Sequence, residues 1–290
     1  MLNRIRKIII DFQNILKVYK NQLINSIVIN KIDKKVKINI LNLSDDNLKK
    51  GYKIYDNSLS VNDLEWLNEY FLKKETFSSN SLKLFDLVNT HFFKDIKSYL
   101  GQNAKLYKIR FNSLENSQSL LTDISGSWHT DNIGNYLKLY ICLEGYGNCP
   151  TLYVPGKNLK NYKPRFSENI RLLQRFDRKK KNNTIEIKHL TGQSSLFDTI
   201  NLHRGKYEKV EENIRRCIVL DFLDFDKIAQ LGFLDIPKFF FMKNSKPPFR
   251  IQQNSVEIKD EDILKELIQY DFFDERFLIR KNDKVLYLWN

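Results

Sequence analysis

In Gly126-Ser127-Trp128-His129-Thr130-Asp131-Asn132 an imidazole and a carboxylate stand two residues apart, in a chain that has only 4 histidines. Strand side chains alternate between faces with period two, so at the end of a strand His129 and Asp131 point the same way and can reach one ion. A second imidazole from a distant strand would complete two His and one Asp on one face of an octahedron. That set leaves three positions open on Fe(II) for a bidentate co-substrate and dioxygen. His203 is the best candidate for the third ligand: it lies 72 residues after Asp131 and follows the strand-like run Gly192–Phe197. His91 and His189 are read as hydrogen-bonded structural residues.

A dicarboxylate co-substrate needs a cation for its far end, and arginine offers a bidentate fork that lysine cannot. Arg215 and Arg216 open the run Arg215–Phe222. Ile218, Leu220 and Phe222 form its apolar face, while Cys217 and Asp221 mark a more polar one. Alternation places Arg215 on the polar face, which makes it the choice over Arg216. Lys138 and Arg110 are further candidates; Lys138 shares a strand face with Tyr140 and Cys142, a face that would point into a barrel.

Trp128 to Asp131, the Lys-bearing strand Leu137–Leu143, the segment Thr151–Pro155, Gly192–Phe197, His203 and an Arg a dozen residues on together resemble the phytanoyl-CoA dioxygenase family of Fe(II)/2-oxoglutarate-dependent oxygenases. Gly51–Tyr70 is similar to that family's N-terminal strand and helix. The resemblance covers roughly residues 51 to 225. It implies a double-stranded β-helix, a jelly-roll or cupin-like barrel, with His129, Asp131 and His203 holding Fe(II). It also implies hydroxylation of a small metabolite or acyl-type substrate, coupled to decarboxylation of 2-oxoglutarate to succinate, with O2 as oxidant and ascorbate as a reductant. Halogenases of this kind replace the carboxylate ligand by a small residue, and Asp131 is intact. A metal-dependent isomerase or hydrolase on the same barrel, working without 2-oxoglutarate, is the alternative; it has no need of Arg215.

The elements that must position these residues read as mainly β with helical additions. Strands are predicted at Leu106–Phe111, Tyr136–Leu143, Thr151–Val154, Thr184–Ile187, Ser194–Phe197 and Arg215–Phe222. Before them, Gly51 opens a short strand, Val61–Leu72 has helical period with Ser60 as N-cap, and a second helix is predicted over Leu82–Tyr99. Helices first and short strands afterwards suggest a barrel buttressed by N-terminal helices. The division expected is a helix and extension over residues 1–50, the barrel over 51–225, and a C-terminal extension over 226–290 packed on the same domain. That extension reads as a helix at Asp260–Tyr270 and a hairpin, Phe277–Arg280 with Lys284–Trp289.

With 48 Lys and Arg against 35 Asp and Glu the net charge is +13. The basic residues are scattered, mostly Lys among many Asn and Ile, and no reader motif accompanies them, so no nucleic-acid partner is expected. The charged run Arg175–Asn183 reads as a solvated loop. Three cysteines without a C-x-x-C spacing indicate neither a disulfide framework nor a zinc knuckle and fit a reducing, cytoplasmic setting. No stretch approaches a membrane span. Residues 1 to about 30 have amphipathic helical spacing with Arg4, Arg6, Lys7, Lys17 and Lys20, a pattern open to peripheral membrane contact as well as to packing on the main body. A small-molecule substrate is the partner expected; its identity and the oligomeric state are not legible in the sequence.

Overall fold

The computed structural model describes residues 30–73, 76–77, 79–114, 126, 128, 136–156, 183–206, 215–226, 256–258, 261–273, 278–281 and 284–287. The helix expected over residues 1 to about 30 and most of the run 175–183 lie outside them.

The N-terminal half is helical for reasons visible in its caps. α1 (Asn30–Leu41) precedes α2 (Asp46–Lys49), which Asp45 caps by accepting from the amides of Asn47 and Leu48 at 3.0 and 2.9 Å. After β1 (Tyr52–Tyr55), α3 (Val61–Lys73) starts where the sequence predicts. Ser60 Oγ accepts from the Asp63 amide at 3.1 Å, and the Asp63 carboxylate accepts from the Ser60 amide at 2.9 Å, so each satisfies an orphan donor of the other. The single helix predicted over Leu82–Tyr99 is in fact two. α4 (Ser79–His91) and α5 (Phe93–Leu100) break at Phe92, whose ψ of −30° comes with a φ of −125°. The break buries Phe92 edge-on against Tyr55, with ring centroids 5.0 Å apart, while Leu84, Phe85 and Val88 of α4 and Ile96 and Tyr99 of α5 stay in one core.

After β2 (Thr76–Phe77), the strands are β3 (Ala104–Leu114), β4 (Leu137–Gly145), β5 (Thr151–Tyr153), β6 (Ile185–Ile187), β7 (Ser194–Asp198), β8 (His203–Gly205), β9 (Arg215–Asp224) and β10 (Val256–Ile258). α6 (Glu261–Leu267) and the hairpin β11 (Leu278–Lys281) and β12 (Lys284–Tyr287) complete the order. A five-stranded antiparallel sheet runs β1-β7-β4-β9-β3 and a three-stranded one β6-β5-β8. The chain passes from the large sheet to the small one and back, β4 to β5 and then β6 to β7 to β8 to β9. That winding is a jelly-roll, the double-stranded β-helix. A third sheet, β11-β12-β10-β2, joins the C-terminal strands to β2.

Each strand of the large sheet has an outer and an inner face. Outward, Leu137, Leu139, Ile141, Leu196, Ile218, Leu220 and Phe222 pack with the helices in the main core. Phe272 adds to it, 5.1 Å from Phe85 and 4.9 Å from Phe93 by ring centroid, and its carbonyl accepts from the Leu106 amide at 2.7 Å. Each such side chain contributes about 1.5–3 kcal/mol by leaving water. Inward, Tyr140 and Phe197 meet Tyr153 and Ile187 of the small sheet, and this second cluster closes the barrel. Among the described residues no helix is long and apolar enough to cross a membrane.

Candidate functional site

His203 opens β8 directly opposite Tyr153 of β5 and is only 5% exposed. Its Nδ1 lies 3.0 Å from the Asn201 carbonyl. A carbonyl can only accept, so Nδ1 carries the proton and Nε2 keeps its lone pair, which is the tautomer a metal-ligating histidine needs. The Phe197 ring stands edge-on to the imidazole at 5.8 Å.

The turn that delivers His203 hangs on Asp198, a carboxylate with 0% exposure at the end of β7. It accepts from Tyr99 Oη at 2.5 Å, from the Ile200 amide at 2.9 Å and from the Tyr136 amide at 3.3 Å. Asn201 donates to the Tyr153 hydroxyl, which lies within hydrogen-bond distance of the Gly51 and Asp198 carbonyls. Asp198 was not singled out by the sequence; an acid ending an apolar strand just before a turn was the one signal for it.

Trp128, the residue before His129, is 3% exposed and clusters with Leu152, Val154 and Leu202. The Arg204 guanidinium lies over its ring at 5.2 Å. Leu202 and Arg204 are the two chain neighbours of His203, so Trp128 packs on the wall beside that histidine. His129 and Asp131 themselves lie outside the described residues. Among the described residues no three His, Cys, Asp or Glu side chains form a cluster able to hold a metal.

The three cation candidates fall into two groups on the inner face. Arg215 begins β9, half-buried, and among the described residues its one hydrogen bond runs from Nη1 to the Cys149 carbonyl at 2.9 Å. Arg216 turns to the other face and pairs with Glu144 at 3.1 Å. Lys138 is 7% exposed and directly opposite both Asp221 and Phe197. Arg110 donates to Asp221 at 2.7 Å, and Asp221 is itself buried. Burial and the neighbouring charge of Arg110 push Lys108, also opposite Asp221, below the usual lysine range. Six residues separate Arg215 from Asp221 along β9, about 20 Å at the rise of a strand. Arg110 and Lys138 therefore sit at the Phe197 end of the inner face, and Arg215 at the Cys149 end.

His91 ends α4 exposed, beside Phe92. His189 is different. It is 1% exposed, tilted over Tyr140 at 4.9 Å, and its Nε2 is 2.8 Å from Thr151 Oγ1. It adopts the left-handed region at φ 55°, costly for any residue but glycine, and the Cys142 thiol donates to its carbonyl at 3.1 Å. Gly145 is required here, since a Cβ on it would stand 2.1 Å from that carbonyl oxygen. Burial first, and then the charge of Arg215, hold His189 well below its ordinary value of 6.5. The sign of the pH effect follows. Above 6.5 both folded and unfolded forms are neutral and nothing is lost; as pH falls below 6.5 the unfolded chain binds a proton that the folded one refuses. Stability should therefore drop by up to about 1.4 kcal/mol per pH unit below that point. His189→Asn, which tolerates the same backbone, removes this component; urea denaturation of both proteins between pH 7.5 and 5.5 checks it, and parallel slopes would show that His189 titrates normally.

Neither a family model nor a curated protein sequence matches the chain. Solved structures similar to it include HygX from Streptomyces hygroscopicus with nickel and 2-oxoglutarate bound, at 13% identity and a TM-score of 0.47, covering 63% of this chain and 88% of that one. The non-heme alpha ketoglutarate dependent epimerase SnoN from nogalamycin biosynthesis is similar at 12% identity and a TM-score of 0.45, over 66% and 84% of the two chains. EctD from S. alaskensis in its apoform is similar at 13% identity and 0.44, over 61% and 74%. These likenesses are distant, and the fold stands on the chain's own strand order.

Proposed function

We propose that the chain is an Fe(II)/2-oxoglutarate-dependent oxygenase of the phytanoyl-CoA dioxygenase kind, hydroxylating a small metabolite or acyl-type substrate in the cytoplasm. The observation that carries this reading is the pairing of His203, whose Nδ1 is fixed by the Asn201 carbonyl, with Trp128, which packs against its neighbours Leu202 and Arg204. From there the chain continues into His129 and Asp131, the residues that would complete the ferrous site with His203. Bound there, the metal supplies dioxygen activation; overall, substrate C–H, O2 and 2-oxoglutarate give C–OH, succinate and CO2, with ascorbate as an auxiliary reductant.

The chain's own residues have separable tasks in this reading. Arg215 takes the far carboxylate of 2-oxoglutarate, because it is the inner-face guanidinium that lies up the barrel from His203 and is not committed to a carboxylate among the described residues. Tyr140, Phe197 and Tyr153 wall the space between the two and exclude water. Arg110 is already engaged by Asp221, so it shapes the Phe197 end together with Lys138. No nucleic-acid partner is proposed.

Anaerobic calorimetry on protein loaded with Fe(II) or Mn(II) tests the proposal. One equivalent of 2-oxoglutarate should bind, and His203→Ala should lose the metal and with it the 2-oxoglutarate heat. Metal-loaded wild type that gives no heat with 2-oxoglutarate sinks the oxygenase reading in favour of a metal-dependent isomerase or hydrolase.

A further inference from the structure

We propose that Cys142 and Cys217 are a peroxide-responsive thiol pair that closes to a disulfide across the inner wall of the barrel. The inference is independent of the oxygenase reading. It rests on register. Cys142 of β4 and Cys217 of β9 are directly opposite in antiparallel strands, and both are reduced and buried. The Cys142 amide donates to the Gln193 carbonyl and its carbonyl accepts from the Gly192 amide, both at 3.0 Å and both on the β7 side. A strand residue turns its N–H and C=O the same way, so Cys142 offers neither to β9. The rung is therefore of the non-hydrogen-bonded type, in which Cα atoms approach to about 4.5 Å and side chains are nearest. That spacing falls within the roughly 4.4–6.8 Å that a disulfide spans without backbone movement.

The chemical setting suits the same reaction. The two thiols face one another across the rung. Burial opposes ionisation of Cys217, but the neighbouring Cys142 thiol and the charge of Arg215, two residues away on the same face, outweigh it and hold this thiol below its ordinary range. The neighbouring Cys217, together with burial, pushes Cys142 up, so the two have distinct parts. The Cys217 thiolate attacks one oxygen of hydrogen peroxide; the O–O bond breaks, and with one proton taken up a sulfenic acid and water result. The Cys142 sulfur then displaces the hydroxyl from the Cys217 sulfur, and that hydroxyl leaves with the Cys142 proton as a second water. The two sulfurs together lose two electrons and peroxide gains them, two thiols and H2O2 giving one disulfide and two waters. Cys149 is excluded by its place: it faces no cysteine across a rung, and its carbonyl is held by Arg215.

Peptide mapping of the full-length protein after hydrogen peroxide, alkylation and digestion without reductant tests this. Two of the three cysteines should escape alkylation, appear as one Cys142–Cys217 linked peptide, and return on adding dithiothreitol. Cys149→Ala should form the same bridge, and Cys142→Ala should leave Cys217 as a sulfenic acid trapped by dimedone. A bridge that includes Cys149, or Cys142 and Cys217 still alkylated while Cys149 is oxidised, overturns the proposal, as does direct passage of Cys217 to a sulfinic acid in the wild type. Since the wild-type map decides by itself, a variant that fails to fold does not shield the idea.

Discussion

Arg215→Leu should weaken 2-oxoglutarate binding tens-fold or more and leave metal affinity nearly unchanged. Removing one side of a buried bidentate carboxylate contact costs on the order of 2–5 kcal/mol, much of it the penalty of leaving the other charge unpaired. The same change removes the hydrogen bond to the Cys149 carbonyl, a loss of only about 1 kcal/mol of stability. Binding can thus be measured on folded protein. Arg216→Leu is the control: its partly exposed pairing with Glu144 is worth at most about 1 kcal/mol, and 2-oxoglutarate affinity should not move. Calorimetry on the Mn(II)-loaded variants reads both numbers. If Arg216→Leu loses the co-substrate and Arg215→Leu keeps it, the anchor lies on the opposite face of β9.

The second large effect belongs to Asp198. Asp198→Ala strands the Tyr99 hydroxyl and the Tyr136 and Ile200 amides in a site from which water is excluded. Three buried neutral donors left without an acceptor should destabilise the protein by about 3–5 kcal/mol. Because the residues that follow carry His203, metal affinity should fall even in the fraction that remains folded. Urea denaturation should show a lower midpoint at unchanged slope. A loss below about 1 kcal/mol would mean that the turn is held by its backbone alone.

How much of this was readable in the sequence depends on range. β9 was readable because Ile218, Leu220 and Phe222 alternate with Cys217, Val219 and Asp221 over a long strand, and the alternation alone put Arg215 and Arg216 on opposite faces. α3 was readable because Ser60 and Asp63 form a local cap. By contrast β8 is 3 residues long, too short to display a period, and His203 was found by residue type and spacing. The break at Phe92 was hidden because apolar positions continue at helical spacing through it; only packing against Tyr55 separates α4 from α5. His189 was read as structural, and its hydrogen bond to Thr151 agrees. Its closeness to Arg215, like the meeting of Cys142 with Cys217, depends on which strands pair across many residues. No local pattern encodes that. The motif residues His129 and Asp131 were the strongest signal in the sequence and fall outside the described residues.

β1 has a consequence beyond the barrel's geometry. Its four rungs cover the outer edge of β7, and the Gly51 carbonyl just before it accepts from the Asp198 amide at 2.8 Å and from the Tyr153 hydroxyl. A stretch of chain far upstream of the His-x-Asp motif is thus one side of the chamber. Trimming the protein to begin near β3 would bare a full row of main-chain donors and acceptors on β7, a template on which neighbouring molecules add strand by strand. The minimal unit that stays dispersed on its own must therefore reach back at least to Gly51.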